Sequence, residues 1–191
     1  MPEVSPFTVL ESRIAWQCPW YAVRQDRLRL PGGGEGVYNV VEKGDAVWIV
    51  PVTAAGEIVL VRHYRHTIGA WCWEVPAGGI EPGQDARQAA RAELRQEIGG
   101  VAENWRLLLR LSTGNGFCNE YGNLFLATGV QLGATAHEAA EVMTVHRVPA
   151  AEAIRMARRG EVDDALSALA LLLAEPLLAE QLLGGDWEQT R

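Results

Sequence analysis

Along the 191-residue chain, the spacing of apolar positions separates strands from helices. Residues 7–16 and 20–30 alternate apolar with polar side chains. In the second stretch Trp20, Ala22 and Leu28 interleave with Arg24, Gln25 and Arg27, so both read as half-buried strands joined by a turn at Cys18-Pro19. The glycine-rich run 31–36 leads into strand-like residues 37–41 and not into a helix, which makes it a hairpin turn and not a phosphate loop. Residues 45–52 and 57–64 are denser β-branched runs separated by Ala54-Ala55-Gly56, as expected of a hairpin whose strands are buried. Further strands are expected at 105–111, 117–128 and 142–148.

Helical signals fall in three places. Asp85 followed by Gln88 is a capping-box pattern that starts a helix at Ala86, and Gly99-Gly100 stops it after about four turns. Pro149 opens a second helix over 150–159, with Gly160 as its stop. Asp163-Asp164 caps a third over 165–174, apolar all round and therefore packed on the sheet or on a partner, with Pro176 expected to kink or restart it. Strands, one helix, strands and then helices favour an α/β or α+β fold with helices covering a mixed sheet, preceded by a small N-terminal antiparallel sheet. The expected divisions are an N-terminal β extension at 1–43, a main domain at 44–185 and a loose tail at 186–191.

The chemistry concentrates in residues 74–100. At 100° per residue Glu93 and Glu97 share one face of the first helix, beside small residues, while Arg87, Arg91 and Arg95 lie roughly opposite. Carboxylates at i and i+4 repel by a few tenths of a kcal/mol unless a cation lies between them. A hard divalent ion would suit them, since Mg²⁺ takes carboxylate oxygens together with water and phosphate. A plain solvated acidic face is the competing reading. The loop before the helix, 76–83, carries three glycines and two prolines and is expected to be fixed. Just upstream, Arg62-His63-Tyr64-Arg65 ends a strand, which suits either an anion or an ordinary solvated edge.

Charge and cysteines narrow the setting. A net charge of −7 argues against nonspecific binding to nucleic acid or to anionic membrane. Three cysteines without Cys-x-x-Cys spacing make a disulfide framework or zinc finger unexpected and point to reduced cytoplasm. No signal peptide is read at the start, and the most apolar run, 165–174, is half a membrane span.

The stretch 78–99 resembles the Nudix box, in which a glycine, five residues, a glutamate, seven residues and Arg-Glu-hydrophobic-x-Glu-Glu-x-Gly form a loop and helix. Gly78, Glu93, Glu97 and Gly99 match, whereas Gln84, Ala92 and Gln96 stand where the motif has glutamate, arginine and glutamate. The flanks are similar to the ADP-ribose pyrophosphatase branch of Nudix hydrolases: Arg62-His63-Tyr64-Arg65, the entry Trp73-Glu74-Val75-Pro76-Ala77-Gly78, and Asn115-Gly116-Phe117-Cys118-Asn119-Glu120, where Asn115 replaces the branch's proline.

That resemblance implies an α/β/α sandwich and a homodimer that exchanges N-terminal strands. It also implies Mg²⁺, with Mn²⁺ as substitute, held by Glu93, Glu97 and the Ala77 carbonyl. Glu141, with Glu138 as runner-up, is implied as a further metal ligand that orients or deprotonates the water. Arg62 or Arg65 would hold phosphate or ribose, with Glu74, Gly78, Glu120 and a stacking Trp20 completing the substrate contacts. The implied reaction is hydrolysis of a nucleoside diphosphate sugar, ADP-ribose to AMP and ribose 5-phosphate. The three lost charges leave open a second expectation, a nucleotide-binding protein or sensor with weakened catalysis. The apolar last helix allows a third, a structural partner module.

Overall fold

The computed structural model describes residues 4–137 and 142–182. These divide into two compact units, one of residues up to Asp45 with 112–121, the other of the remainder. The tail expected at 186–191 lies outside the described residues.

The first unit is an antiparallel sheet of β1 (Thr8–Gln17), β2 (Ala22–Arg29) and β3 (Glu35–Glu42), in that order. Its β2–β3 turn needs left-handed backbone, supplied by Gly33 (φ 83°) and Gly34 (φ 79°). The backbone of residues 117–119 bridges to this sheet at Val41 instead of starting a strand. The Phe117 carbonyl accepts the Val41 amide at 2.7 Å, and the Asn119 amide returns to the Val41 carbonyl at 3.2 Å.

The second unit holds an eight-stranded sheet and three helices. In chain order they are β4 (Ala46–Thr53), β5 (Glu57–Arg65), β6 (Ala70–Glu74), β7 (Ala77–Gly79), α1 (Ala86–Ile98), β8 (Gly100–Val101), β9 (Asn104–Ser112), β10 (Tyr121–Leu132), β11 (Met143–Pro149), α2 (Ala150–Arg158) and α3 (Ala165–Leu182). The sheet runs β11-β5-β4-β10-β8, with β6 on β5, β7 on β4 and β9 on β10. It is mixed, because β10 is parallel to β4 while the hairpin pairs are antiparallel.

Period-two alternation in the central strands feeds two cores. Val47, Ile49, Val59, Val61 and Phe125 face Ala90, Leu94 and Ile98 of α1. Val50, Val52, Ile58, Leu60 and Leu124 face α2 and α3 through Ile154, Ala170, Leu171 and Leu178. Burial on both faces explains why these strands read as continuous apolar runs. The architecture is the expected α/β/α sandwich.

Three boundaries differ from those the sequence predicts. β10 starts at Tyr121 and not at 117, because the backbone of 117–119 pairs with Val41. β7 is a short strand inside the 76–83 stretch whose turn-forming residues predict only a loop. Helix α3 continues past Pro176 to Leu182, its missing N–H tolerated because Leu171, Ala174 and Leu178 stay buried across that point.

Candidate active site

Helix α1 forms because both its ends are specified locally. Asp85 Oδ1 accepts the Gln88 amide at 2.9 Å and Gln88 Oε1 accepts the Asp85 amide at 3.2 Å, closing the capping box. Gly99 ends the helix in left-handed conformation, and a Cβ there would lie 2.4 Å from the Gly133 carbonyl oxygen. Residues 133–137 cover that helix end. Ala136 N–H donates to the Gln96 carbonyl at 2.8 Å, and His137 Nε2 donates to the Glu97 carbonyl at 2.6 Å. Glu138 and Glu141, just beyond, lie outside the described residues.

The capping sets the rotation of α1, and with it the two acids. Glu93 is half-buried, and its carboxylate lies so close to Gly78 that a Cβ there would sit 2.1 Å from Glu93 Cδ. Glu97 is 4% exposed, and its Oε2 accepts the Ala77 amide at 3.2 Å. The lip of residues 76–78 is fixed against β4, with the Pro76 carbonyl accepting the Ile49 amide at 2.9 Å and Gly78 paired with Val47. Ala77, Gly78, Glu93 and Glu97 therefore meet, and the acids do not splay into solvent.

The donor chemistry suits a hard divalent cation: two carboxylates from successive turns, the Ala77 backbone beside them, and a glycine whose missing Cβ makes room for one of the acids. Among the described residues there is no group of three or more His, Cys, Asp or Glu side chains that could hold a metal ion.

Arg65 and Glu74, both expected as substrate contacts, bind each other. Arg65 Nε reaches Glu74 Oε1 at 2.8 Å and a terminal nitrogen reaches Oε2 at 2.5 Å, a bidentate pair on a carboxylate that is 4% exposed. The hydrogen-bonded Glu74 holds the Arg65 pKa above its ordinary value, with the Glu97 and Asp164 charges adding to the effect. Arg62 instead lies over Trp73, 5.1 Å from its ring centroid, with His146 edge-on to the same ring at 4.8 Å. This stack is not legible from sequence, since Arg62 and Trp73 become neighbours only through the β5–β6 register. Burial pushes the Cys72 thiol pKa up, the Glu74 charge in the same direction.

Trp20 and Glu120 belong to the first unit. Trp20 is 76% exposed. Glu120 is buried, paired with Lys43 Nζ at 2.7 Å and accepting from Thr113 Oγ1 at 2.8 Å.

The fold agrees with comparison to known proteins. The NUDIX domain model matches residues 42–179. The chain is 39% identical over 155 residues to the ADP-ribose pyrophosphatase of Mycobacterium tuberculosis (strain ATCC 25618 / H37Rv), spanning 80% of this chain and 75% of that one. It is 30% identical over 159 residues to the ADP-ribose pyrophosphatase of Bacillus subtilis (strain 168), 81% and 86% of the two chains. A crystal structure of an ADP compounds hydrolase superposes with TM-score 0.81 over 95% of this chain and 98% of that one. At 22% identity that likeness concerns the fold. The chain belongs to the NUDIX family and is an enzyme of its ADP-ribose pyrophosphatase-like branch.

Proposed function

We propose that the enzyme hydrolyses the diphosphate bond of a nucleoside diphosphate sugar, with ADP-ribose as substrate, giving AMP and ribose 5-phosphate with Mg²⁺ or Mn²⁺ as cofactor. The relatives' nucleotide-sugar diphosphate hydrolysis supports the reaction class. The observation that carries the site is the pair Glu93 and Glu97 facing the 76–78 lip, one carboxylate seated on Gly78 and the other accepting from Ala77.

Glu93, Glu97 and the Ala77 carbonyl would hold the cation. When bound there, it neutralises diphosphate charge and acidifies a water. Glu97 keeps its carboxylate oriented through the Ala77 amide, so its remaining lone pairs point where the protein's fold aims them. Water oxygen adds to one phosphorus as the bridging P–O bond breaks, and the bridging oxygen leaves with the other phosphate. Glu141, by resemblance and with Glu138 as runner-up, is the group that orients the water or takes its proton. Arg62, which among the described residues has no carboxylate partner, is the phosphate- or ribose-binding arginine, and Arg65 braces Glu74. Trp20 stacking on the base and Glu120 contacting the substrate are part of the same reading.

The same reading has a homodimer built on the N-terminal β extension, a cytoplasmic setting, and neither nucleic acid nor membrane as partner. Exposed Ile14, Trp16 and Val37 on that sheet support a second copy, and three free cysteines support reduced surroundings. Among the described residues no helix is long and apolar enough to cross a membrane.

The test is turnover of ADP-ribose and a panel of nucleotide sugars with Mg²⁺ or Mn²⁺, for the wild type and Glu97→Gln. Loss of about 100-fold or more in kcat/KM on Glu97→Gln is expected. Undiminished turnover would remove Glu97 from the site, and brisk hydrolysis of other nucleotide sugars with none of ADP-ribose would overturn the substrate.

A further inference from the structure

The backbone that carries Ala77 is braced from behind by the first turn of α3. Asp164 caps that helix, its Oδ2 accepting the Ser167 amide at 2.7 Å and its carbonyl the Ala168 amide at 2.9 Å. The same Oδ2 accepts the indole N–H of Trp48 at 3.0 Å, tying the cap to the central strand β4. Ser167, 0% exposed, uses its Oγ to accept the Val75 amide at 3.1 Å. Three consecutive residues are thus each fixed to a different element: Val75 to α3, Pro76 to β4 and Ala77 to α1. Gly122 permits the close approach behind them. A Cβ there would lie 2.7 Å from Leu166 Cδ1 and 3.0 Å from Trp48 Cζ3.

We infer that Asp164 and Ser167 are positioning residues for the cation site, holding the 75–77 backbone so that Ala77 faces Glu97. The inference rests on the proposed reading of Ala77, Glu93 and Glu97 as the cation's oxygen donors. A carboxylate ligand can find its ion by changing rotamer, whereas a backbone carbonyl goes only where its chain is held. The lip's placement therefore depends on the hydrogen bonds of its neighbours. Losing Ser167 Oγ leaves the Val75 amide buried without its acceptor and frees one of the three anchors. Partners that orient metal ligands typically contribute about 10–100-fold in metal affinity.

The experiment is Mn²⁺ binding to the full chain without substrate, followed by the EPR signal of free Mn²⁺, with thermal denaturation in parallel. Ser167→Ala is expected to weaken Mn²⁺ by about tenfold or more. Ser167→Thr, which keeps the hydroxyl, is expected to stay near wild type. Leu178→Ala, a core truncation further along the same helix, should lower thermal stability without moving the Mn²⁺ affinity. Wild-type affinity in Ser167→Ala, or an equal loss in Leu178→Ala, would overturn the inference. If Ser167→Ala does not fold, Trp48→Phe, which takes the indole N–H from Asp164, decides the matter: weakened binding supports the brace and unchanged binding refutes it. Failure of the underlying reading would look different, because Glu97→Gln would then bind Mn²⁺ as tightly as the wild type.

Discussion

Replacing Gly78 by alanine isolates the geometry of the acid pair from its chemistry. The added Cβ would fall 2.1 Å from Glu93 Cδ and 2.2 and 2.5 Å from its two oxygens, where ordinary contact begins near 3.4 Å. The carboxylate must therefore retreat by about 1.3 Å, the shortfall at its carbon. Overpacking usually costs about 1–3 kcal/mol, and the lower end applies because the displaced group is the far end of a long, half-buried side chain. A loss of about 1 kcal/mol lowers Tm by about 2–4 °C in a chain of this size.

Catalysis has no such tolerance, since a displacement of about 1 Å at a reacting site can cost about 100-fold. Gly79→Ala is the control: nothing lies within 4 Å of its Cβ, so stability and turnover should both stay near wild type. The assay is kcat/KM for ADP-ribose at saturating Mg²⁺, alongside calorimetric unfolding of both variants. If Gly78→Ala turned over like Gly79→Ala, Glu93 would not be held by that glycine for catalysis and the site assignment would fall.

Arg65→Ala should destabilise by about 2 kcal/mol in chemical denaturation, short of the roughly 3–5 kcal/mol of a fully buried pair because Arg65 is part-exposed, and Arg65→Ala/Glu74→Gln should recover some of that loss. A double variant no more stable than the single would show that Glu74 does not need its partner. The Arg24 guanidinium, and after it Ser12, hold the Asp26 carboxyl below its usual range. A depressed carboxylate contributes stability above its unfolded pKa of about 3.9 and loses it as pH falls through the lower folded value. Hydrogen-exchange protection of β2 should accordingly drop as pH falls below about 4, and Asp26→Asn should abolish that acid dependence. Burial raises the Cys72 thiol pKa, so thiol titration with a disulfide reagent near neutral pH should leave Cys72 unreacted until the protein unfolds, with Cys18 and Cys118 ahead of it.

What is legible in the sequence is what short-range hydrogen bonds or strict periodicity encode. The 86–98 helix carries its own start in Asp85 and Gln88 and its own stop in Gly99, so its bounds and the shared face of Glu93 and Glu97 follow from spacing alone. The buried hairpin is equally local, its turn marked by Gly56 at φ 76°. Features set by distant partners are not legible. The alternation at 117–120 reads as strand, yet that backbone is taken by Val41, 76 residues upstream of Phe117. Arg65 and Glu74 each look like a ligand contact until β6 pairs with β5 and brings them together. Ser167 and Trp48 carry no motif, and only the packing of α3 beside β4 gives them a common neighbour in Asp164.

The three departures from the Nudix box have unequal consequences once their surroundings are known. Gln84 closes a turn with Glu81, its amide donating to the Glu81 carbonyl at 3.0 Å and its Oε1 accepting the Glu81 amide at 3.1 Å, which a neutral side chain does as well as a charged one. Ala92 lines an open hollow of about 470 Å³ together with Arg91, Arg95, Gln96 and Ala136. Relative to the motif, one positive and two negative charges are gone, one of the negatives at Gln84 in the loop before the helix, so the box as a whole is one unit more positive. That shift favours an anionic diphosphate and weakens the hold on a cation. Gln96→Glu restores a carboxylate one residue before Glu97 and should tighten Mn²⁺ binding by about tenfold, since affinity for hard cations rises with ligand charge. The same variant should raise KM for ADP-ribose at saturating metal. An unchanged Mn²⁺ affinity would mean that Gln96 lies beyond the cation's reach, leaving Glu93 and Glu97 as the box's only ionic contribution to the site.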